Sequence, residues 1–164
     1  MSILPDVFRD VLRRFAAGVT VVTSARDGVR LGLTVTAFTS VSVEPPLIAV
    51  VIQRDHRITP LLQADDASFA VNLLSATQQP LSDRFAYVKD EDRFTEGTWT
   101  TAETGAPVLQ DALAWLDCRL HGRLDAGTHT IYVGRVVAAA VPSADATQPL
   151  VYCDRAYYTL TPPA

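Results

Sequence analysis

Residues 19–38 have the sequence VTVVTSARDGVRLGLTVTAF, and this stretch predicts a β-hairpin. Residues 19–24 are rich in β-branched side chains, which favour a strand. The Arg-Asp-Gly sequence at 26–28 is typical of a tight turn. Residues 30–38 then carry an aliphatic or alanine side chain at every second position, which indicates a returning strand.

The segment before this hairpin predicts a helix. Asp6 is a suitable N-cap, and Gly18 is a plausible stop after the helix. The spacing between them places five large apolar side chains on one helical face. These residues are Val7, Phe8, Val11, Leu12 and Phe15.

The rest of the chain continues as mostly strands. Residues 47–52 and 68–73 predict strands, and 58–64 predicts a short helix. A second helix is expected to end near Ala86, with Thr77 as its N-cap and Pro80 in its first turn. We expect mostly loop over 87–110, including an acidic patch at Asp90, Glu91 and Asp92. Further strands are expected over 116–124, 129–141 and 150–160, the first two joined by the Asp125-Ala126-Gly127 turn.

Six or more strands with a few short helices predict a mainly β fold, a β-barrel with short capping helices. The strands are joined by hairpins and short loops, so a doubly wound parallel sheet is disfavoured. No glycine-rich dinucleotide-binding fingerprint follows any strand.

Composition and charge exclude several classes of protein. The 164 residues predict one domain over 1–164, and 48% hydrophobic residues exclude a wholly disordered chain. The net charge is −4 and neither half is basic, so we expect no nucleic-acid and no membrane partner. No apolar run approaches the roughly 18 residues of a membrane helix, and charged residues near the N-terminus do not match a signal peptide. Cys118 and Cys153 form no disulfide framework, and we expect a cytoplasmic protein.

The sequence offers few groups for catalysis by the protein alone. Its three histidines are not at metal-ligand spacing, so no metal site is predicted. No nucleophile elbow, phosphate-binding lysine loop or suggestive carboxylate pair is present, and Lys89 is the only lysine. This scarcity favours a protein whose chemistry belongs to a bound cofactor.

Several segments, in order and spacing, resemble the flavin-reductase-like family of small FMN-binding split-barrel proteins. The resemblance covers essentially the whole chain and depends on the joint occurrence of the segments. The matching segments are FRDVLRRFAAGVTVVT (8–23), GLTVTAFTSVSVEPPL (32–47), FAVNLL (69–74), RFA (84–86), LAWLDCRL (113–120), GTHTIYVGRV (127–136) and LVYCDRAYYTL (150–160).

The resemblance implies a flavin site along two strands. A flat isoalloxazine ring needs backbone N–H groups and small hydroxyls at its pyrimidine edge, and few bulky side chains over its face. The family match implies that Thr34, Val35, Thr36 and Ala37 line that edge, and that Val51, Ile52 and Gln53 contribute from the next buried strand. Without the match, the threonines would simply face solvent on an ordinary barrel strand.

The loop QRDHRIT at 53–59 corresponds to the part of the family that offers small hydroxyl residues to the flavin phosphate. Here Asp55 and His56 stand where serines are common, and a carboxylate repels a phosphate. We expect His56, Arg57 and backbone N–H groups to hold the phosphate while Asp55 turns toward Arg54 or Arg57. There are two alternatives: the loop binds phosphate only weakly, or it is a charged loop that simply faces solvent.

Three further residues match family positions near the cofactors. Arg84 suits a phosphate or ribityl contact, and Phe85 suits packing near the flavin tail, with plain core as its alternative. His129 matches a position near the exposed flavin face and the nicotinamide, where it is assigned as the catalytic residue. Its alternative is a structural role at the strand end.

The resemblance implies an NAD(P)H:flavin oxidoreductase. It would reduce FMN, or FAD, with NADH or NADPH and supply the reduced flavin to a separate monooxygenase. The family also implies a homodimer. The alternatives are a flavoprotein of the same fold with tightly bound FMN and a dedicated substrate, a non-enzymatic flavin-binding module and, ranked last, a haem binder.

Overall fold

The computed structural model describes residues 3–88, 93–142 and 148–160. The helices are α1 (Pro5–Leu12), α2 (Thr59–Leu62) and α3 (Gln79–Tyr87), and the 3₁₀ turns are Ala76–Gln78 and Arg93–Thr95. The strands are β1 (Ala17–Gly18), β2 (Thr20–Arg26), β3 (Val29–Val35), β4 (Phe38–Ser42), β5 (Leu47–Gln53), β6 (Ser68–Leu73), β7 (Trp99–Thr101), β8 (Pro107–Leu109), β9 (Ala114–Ala126), β10 (His129–Ala140), β11 (Val151–Cys153) and β12 (Ala156–Tyr158). The acidic patch expected at Asp90, Glu91 and Asp92 lies outside the described residues.

The main sheet closes on itself because its two edge strands are consecutive in the chain. Seven antiparallel strands follow the order β3-β2-β6-β9-β10-β5-β4. Only Thr36 and Ala37 join β3 to β4, a connection that spans at most about 11 Å. A flat sheet of seven strands would be about 29 Å wide. The sheet therefore curls, which brings β3 against β5 and leaves a split at residues 36–37. The predicted barrel with short helices is confirmed.

The opening hairpin is confirmed, with a correction at its end. β2 and β3 pair from Thr20↔Val35 to Arg26↔Val29. Asp27 and Gly28 both have positive φ, at 51° and 77°, as a two-residue type I′ turn requires. β3 ends at Val35 and not at Phe38, because the chain leaves one edge of the sheet there and crosses to the other.

The N-terminal helix is shorter than predicted. It begins at Pro5, with Leu4 and not Asp6 at the cap position, because the fixed φ of proline suits the first helical residue. It ends at Leu12, so Phe15 follows the helix. Gly18 does not cap it but pairs with Val151 in a small second sheet.

Two other sequence predictions need correction. Thr77 is not the N-cap before α3; Ser75 forms a capping box with Gln78, whose side-chain oxygen accepts the Ser75 N–H at 2.9 Å. The prediction of mostly loop over 87–110 missed the β7–β8 pair, Trp99–Thr101 with Pro107–Leu109. Three-residue strands are too short to show a period in the sequence.

The two larger of three apolar clusters hold most of these elements together. One fills the barrel with residues from β2, β3, β5, β6 and β10, including Tyr132 and Phe69. The other lies beneath α3 and includes Phe85, Phe94 and Leu109, with Trp99 packed against it. This second cluster joins α3 and the segment after it to the barrel wall.

Candidate functional site

The split in the barrel exposes two small residues at the edge of the sheet. Thr36 and Ala37 are exposed, while the side chain of Val35 is buried in the barrel core. The Val51 N–H donates to the Ala37 carbonyl oxygen at 3.0 Å, and the Phe38 N–H donates to the Thr36 carbonyl oxygen at 3.0 Å. These bonds fix the crossing segment against β5 with small side chains outside, which leaves an open surface for a flat ligand.

Thr36 stands between two cavities. One, of about 300 Å³, lies between the segment after α1 and the barrel, and its lining includes Phe15, Thr36 and Phe38. The other, of about 110 Å³, lies between β3, α3 and the C-terminal strands, and its lining includes Thr34, Thr36 and Tyr157. A side chain larger than threonine at position 36 would therefore project into space that a ligand at this surface could use.

Thr34 and Phe85 serve the structure around this surface. The Thr34 hydroxyl donates to the Ser82 carbonyl oxygen at 2.6 Å, which ties β3 to α3. Phe85 is 1% exposed and its ring forms an edge-to-face pair with Phe94, with centroids 5.2 Å apart. Phe85 therefore belongs to the core beneath the site, as its alternative assignment expected.

The end of β5 meets the start of β10. Gln53 is opposite His129 in the antiparallel pairing, and both are exposed. Val51 is half-buried, while Ile52 is buried in the barrel. The Arg54 N–H donates to the Thr128 carbonyl oxygen at 3.0 Å. His129 is thus held beside the start of the 53–57 loop, with its Nδ1 2.9 Å from the Thr128 hydroxyl.

The loop after Gln53 is a tight turn that fixes His56. The His56 N–H donates to the Gln53 carbonyl oxygen at 3.1 Å, and the Ile58 N–H donates to His56 Nδ1 at 3.3 Å. Burial lowers the pKa of His56 below its ordinary value. The positive charges of Arg93 and Arg57 lower this pKa further, while Asp55 opposes them.

The sequence suggested that Asp55 turns toward Arg54 or Arg57, and of these Arg54 forms no ion pair with Asp55 among the described residues. Arg54 lies 3.9 Å from a carboxylate oxygen of Asp125 instead. The negative charge of the Asp55 carboxylate acts to raise the pKa of His56. The acidic residue in this loop is thus close to the histidine that was expected to contact phosphate.

Arg84 lies within the contacts of the segment that follows α3. Its guanidinium pairs with Glu96 at 3.3 Å and donates to the Thr95 hydroxyl. Its Nε donates to the Arg93 carbonyl oxygen at 3.3 Å. Arg84 therefore fixes the fold of residues 93–96 and carries a carboxylate partner.

Arg93, which the sequence interpretation did not single out, is held between β3, α3 and the residue after α3. It donates to three carbonyl oxygens, from Nε to Val88 at 2.6 Å and from Nη1 to Gly32 at 2.9 Å and Phe85 at 2.6 Å. Burial, and then the charge of Arg57, lower its pKa. The available signal was a second Arg-Phe pair at 93–94, nine residues after the one at 84–85.

Of the predicted residues, Val35, Ile52 and Phe85 are buried, and the exposed or half-buried ones show two kinds of chemistry. The part around Thr36, Ala37, Gln53 and His129 is open and lined by small or polar groups. Among the described residues, Arg93, Arg57 and Asp55 act electrostatically on His56, so two positive charges and one negative charge lie in that part. A flat ring with a phosphate-bearing tail fits this combination.

The described residues offer neither a metal-binding cluster nor a membrane-spanning helix. Across residues 3–88, 93–142 and 148–160, no group of three His, Cys, Asp or Glu side chains is arranged to hold a metal ion. The longest described helix, α3, has nine residues, so no helix in the described ranges is long enough to cross a membrane.

Comparisons with known proteins agree with this site. A family model described as "flavin reductase like domain" matches residues 12–161. An FMN reductase (NADH), RutF, of Enterobacter cloacae subsp. cloacae is 37% identical over 163 residues, which cover 98% of both chains. The reductase component of a FADH(2)-dependent resorcinol hydroxylase from Rhizobium sp. is 40% identical over 158 residues, covering 94% of this chain and 87% of that protein.

A solved structure shows the same fold. The styrene monooxygenase flavin reductase of Pseudomonas putida S12 superposes with a TM-score of 0.86 and 31% identity. The match covers 96% of this chain and 99% of that one. The resemblance inferred from the sequence segments is confirmed.

Proposed function

Because this chain belongs to the flavin reductase like family, we propose that it is an NAD(P)H:flavin oxidoreductase that reduces FMN. The observation that carries the proposal is the joint surface of Thr36, Ala37, Gln53 and His129 beside the cationic loop at His56. The small exposed groups suit the pyrimidine edge and face of a flavin, and the cations suit its phosphate. A relative covering 98% of this chain is named for the same activity with NADH.

The chain positions its two ligands and supplies little chemistry of its own. When bound, a flavin accepts a hydride at N5 from C4 of a reduced nicotinamide, so the redox chemistry belongs to the cofactors. Thr36 and Ala37 present backbone groups without covering the ring. His129 donates or accepts a hydrogen bond that orients the nicotinamide amide. Holding two rings in contact accounts for most of the rate gain through proximity and orientation.

We further propose that the product is used by a separate oxygenase. One relative is named as the reductase component of a resorcinol hydroxylase, and one solved structure as the flavin reductase of a styrene monooxygenase. The surface at Thr36 and Ala37 is open, so the site can release reduced flavin to such a partner. Which oxygenase is served depends on contacts outside this chain.

A homodimer is proposed from the N-terminal helix. Five large apolar side chains of α1 and the residues after it are exposed although they form one face: Val7, Phe8, Val11, Leu12 and Phe15. α1 has no buried residue in the single chain. Such an apolar face is typical of a protein–protein interface, and a second copy would bury it beside the cavity at Thr36. The prediction of a cytoplasmic location stays a prediction.

The test is steady-state oxidation of NADH and NADPH with FMN, FAD and riboflavin as acceptors. Nicotinamide oxidation that requires added flavin is the expected result, and the six rates rank the donors and acceptors. Flavin retained through gel filtration, with turnover of another substrate only, would favour a flavoprotein with a dedicated substrate. Tight flavin binding without nicotinamide oxidation would indicate a binding module. Either result would overturn the proposed reductase.

A further inference from the structure

The hairpin between β9 and β10 ends in a two-residue loop that carries Thr128 directly before His129. Ala126 and His129 pair across the hairpin, so Gly127 and Thr128 form the loop. The Arg54 N–H donates to the Thr128 carbonyl oxygen at 3.0 Å, which fixes this loop against the end of β5. The backbone of Thr128 is therefore held at the point where the β10 strand begins.

The side chain of Thr128 restricts the remaining freedom of His129, which is rotation of its ring. The Thr128 hydroxyl lies 2.9 Å from Nδ1 of His129. Among the described residues it is the only hydrogen-bond partner of this ring, and Nε2 has none. Asp125, the carboxylate of the same hairpin, accepts instead from the Thr130 hydroxyl at 2.6 Å and lies 3.9 Å from Arg54. The ring is thus oriented by a hydroxyl and not by a carboxylate.

The kind of partner at Nδ1 decides what Nε2 can do. A neutral imidazole has one N–H group, and the hydrogen bond at one nitrogen determines the state of the other. A carboxylate only accepts, so it would require the proton on Nδ1 and leave Nε2 as an acceptor. A hydroxyl can donate to Nδ1, which places the proton on Nε2. When the ring is protonated, the same hydroxyl can accept from Nδ1, and Nε2 still carries a proton.

We propose that Thr128 is a positioning residue that holds His129 with Nε2 as a hydrogen-bond donor to the carbonyl oxygen of the nicotinamide carboxamide. The proposal deepens the flavin reductase function and rests on it. It replaces a general contact between His129 and the amide by a contact of defined direction.

This direction predicts which hydride donors the site accepts. A donor at Nε2 does not distinguish a carboxamide from a carboxylate, because both offer an oxygen at the same place on the ring. The reductase should therefore also use the acid analogue of NADH, reduced nicotinic acid adenine dinucleotide. An acceptor at Nε2 would have the opposite preference, since it needs the amide N–H₂ group and is repelled by a carboxylate.

The first experiment reads the tautomer in the protein without ligands. Long-range proton–nitrogen NMR spectra are recorded on ¹⁵N-labelled protein at pH 8, where histidine side chains are ordinarily neutral. The spectrum of His129→Ala identifies the signals of His129. The expected result is a protonated Nε2 and an unprotonated Nδ1. A proton on Nδ1 would overturn the proposal.

The second experiment compares NAD⁺ with oxidised nicotinic acid adenine dinucleotide as competitive inhibitors of flavin-dependent NADH oxidation. Their inhibition constants should differ by less than the roughly 2- to 13-fold change that one lost hydrogen bond produces. Stopped-flow mixing with the reduced acid analogue should also reduce bound flavin. An acid analogue that binds more weakly than this range would overturn the donor assignment.

Variants of Thr128 test its role separately. Thr128→Val removes the hydroxyl at similar size and should weaken both inhibitors roughly 2- to 13-fold, with FMN affinity unchanged. Thr128→Ser keeps the hydroxyl and should restore the wild-type constants. Thr100→Val, at an exposed position of β7, is the matched control. Wild-type constants in Thr128→Val would show that Thr128 does not position His129.

Melting temperatures are measured for every variant, because a purely structural role of Thr128 would lower stability and weaken FMN and nicotinamide binding together. If Thr128→Val does not fold, the wild-type tautomer and the wild-type ratio of inhibition constants decide the proposal. NADH oxidation with rejection of the acid analogue would overturn this inference alone. Absence of any flavin-dependent NADH oxidation would overturn the proposed function with it.

Discussion

A Cβ atom built on Gly32 would lie 2.6 Å from Cε1 of Phe85, so the Phe85 ring occupies the space that any larger residue at position 32 would need. That ring cannot easily withdraw, because it packs against Phe94 and Trp99 at centroid distances of 5.2 and 5.4 Å. The contact joins α3 to β3 at the strand that carries Thr34. It also explains why the second core cluster lies directly below the candidate site.

Gly32→Ala should therefore destabilise the protein. Forcing an extra methyl group into a packed core costs about 1–3 kcal/mol. Gly122→Ala is the matched control, since a Cβ at that strand position would meet nothing within 4 Å. Chemical denaturation of both variants measures the difference. Equal free energies of unfolding would show that Phe85 can move away at little cost.

Two tyrosines, the buried Tyr132 and the half-buried Tyr157, should respond in opposite ways when the hydroxyl group is removed. Tyr132 Oη is buried in the barrel without a hydrogen-bond partner among the described residues. Tyr157 Oη donates to Asp83 at 2.9 Å and lies 2.9 Å from the Ser82 hydroxyl, and burial raises its pKa to about 12. Tyr132→Phe should leave the free energy of unfolding unchanged or raise it by about 1 kcal/mol, while Tyr157→Phe should lower it by roughly 1–2 kcal/mol. Urea titrations of the two variants provide the comparison, and a larger loss for Tyr132→Phe would contradict it.

Thr36→Tyr should weaken flavin binding much more than it weakens folding. Thr36 is exposed and lines both cavities, so the new ring would enter the space of the ligand and not of the core. Fluorescence titration with FMN gives the affinity, and a thermal melt of the same variant without flavin gives the stability. Thr100→Tyr, at an exposed position of β7, is the control for the added ring. Unchanged FMN affinity in Thr36→Tyr would place the flavin elsewhere.

His129→Ala should lower the rate of flavin reduction or raise the apparent KM for the nicotinamide, with little change in flavin affinity. Loss of one hydrogen bond costs about 0.5–1.5 kcal/mol, which is roughly 2- to 13-fold in rate or affinity. Stopped-flow reduction of bound flavin at several NADH concentrations separates the two effects. His121→Ala, exposed on β9, should behave as wild type. If His129 is instead structural, the melting temperature should fall and both ligands should bind more weakly.

The stability of the flavin-free protein should decrease as the pH falls through about 6.5. Burial, and then the charge of Arg93, lower the pKa of His56 in the folded state, whereas the unfolded side chain protonates near 6.5. Between these pKa values the unfolded state binds more protons, so the free energy of unfolding falls with falling pH. His56→Gln should flatten the pH profile from about 7 to 5. A profile identical to wild type would show that His56 is not perturbed by its neighbours.

Much of the fold could be predicted because its signals are local. The Arg-Asp-Gly turn and the alternation after it predicted the β2–β3 hairpin, and the apolar run at 47–52 predicted β5 within one residue. The β7–β8 pair was missed because its two strands have three residues each, too few to show a period in the sequence. The cap of α1 was misplaced because proline at the first helical position outweighed Asp6.

The candidate site was predicted less completely. Among the residues that the resemblance named, Thr36, Ala37, Gln53 and His129 are exposed and His56 is half-buried, so their assignment to the site stays a prediction. The resemblance could not separate Arg84 from Arg93, because both precede a phenylalanine and differ only in partners supplied by other segments. Phenylalanine is also a residue type that can contact a ligand. Phe85 is instead buried, because its ring packs against Phe94 and Trp99.

The sequence by itself determined the strands, their hairpin turns, the mainly β class and the family, since each depends on residue type at short spacing. Only the tertiary structure decided which side chains carry charge toward the site. Whether a guanidinium meets the carboxylate of Glu96 or the carbonyl oxygens of Gly32, Phe85 and Val88 depends on how the sheet curls and where α3 packs on it. These are contacts between distant parts of the chain, and the free energy of a charged group depends on all the neighbours that packing provides.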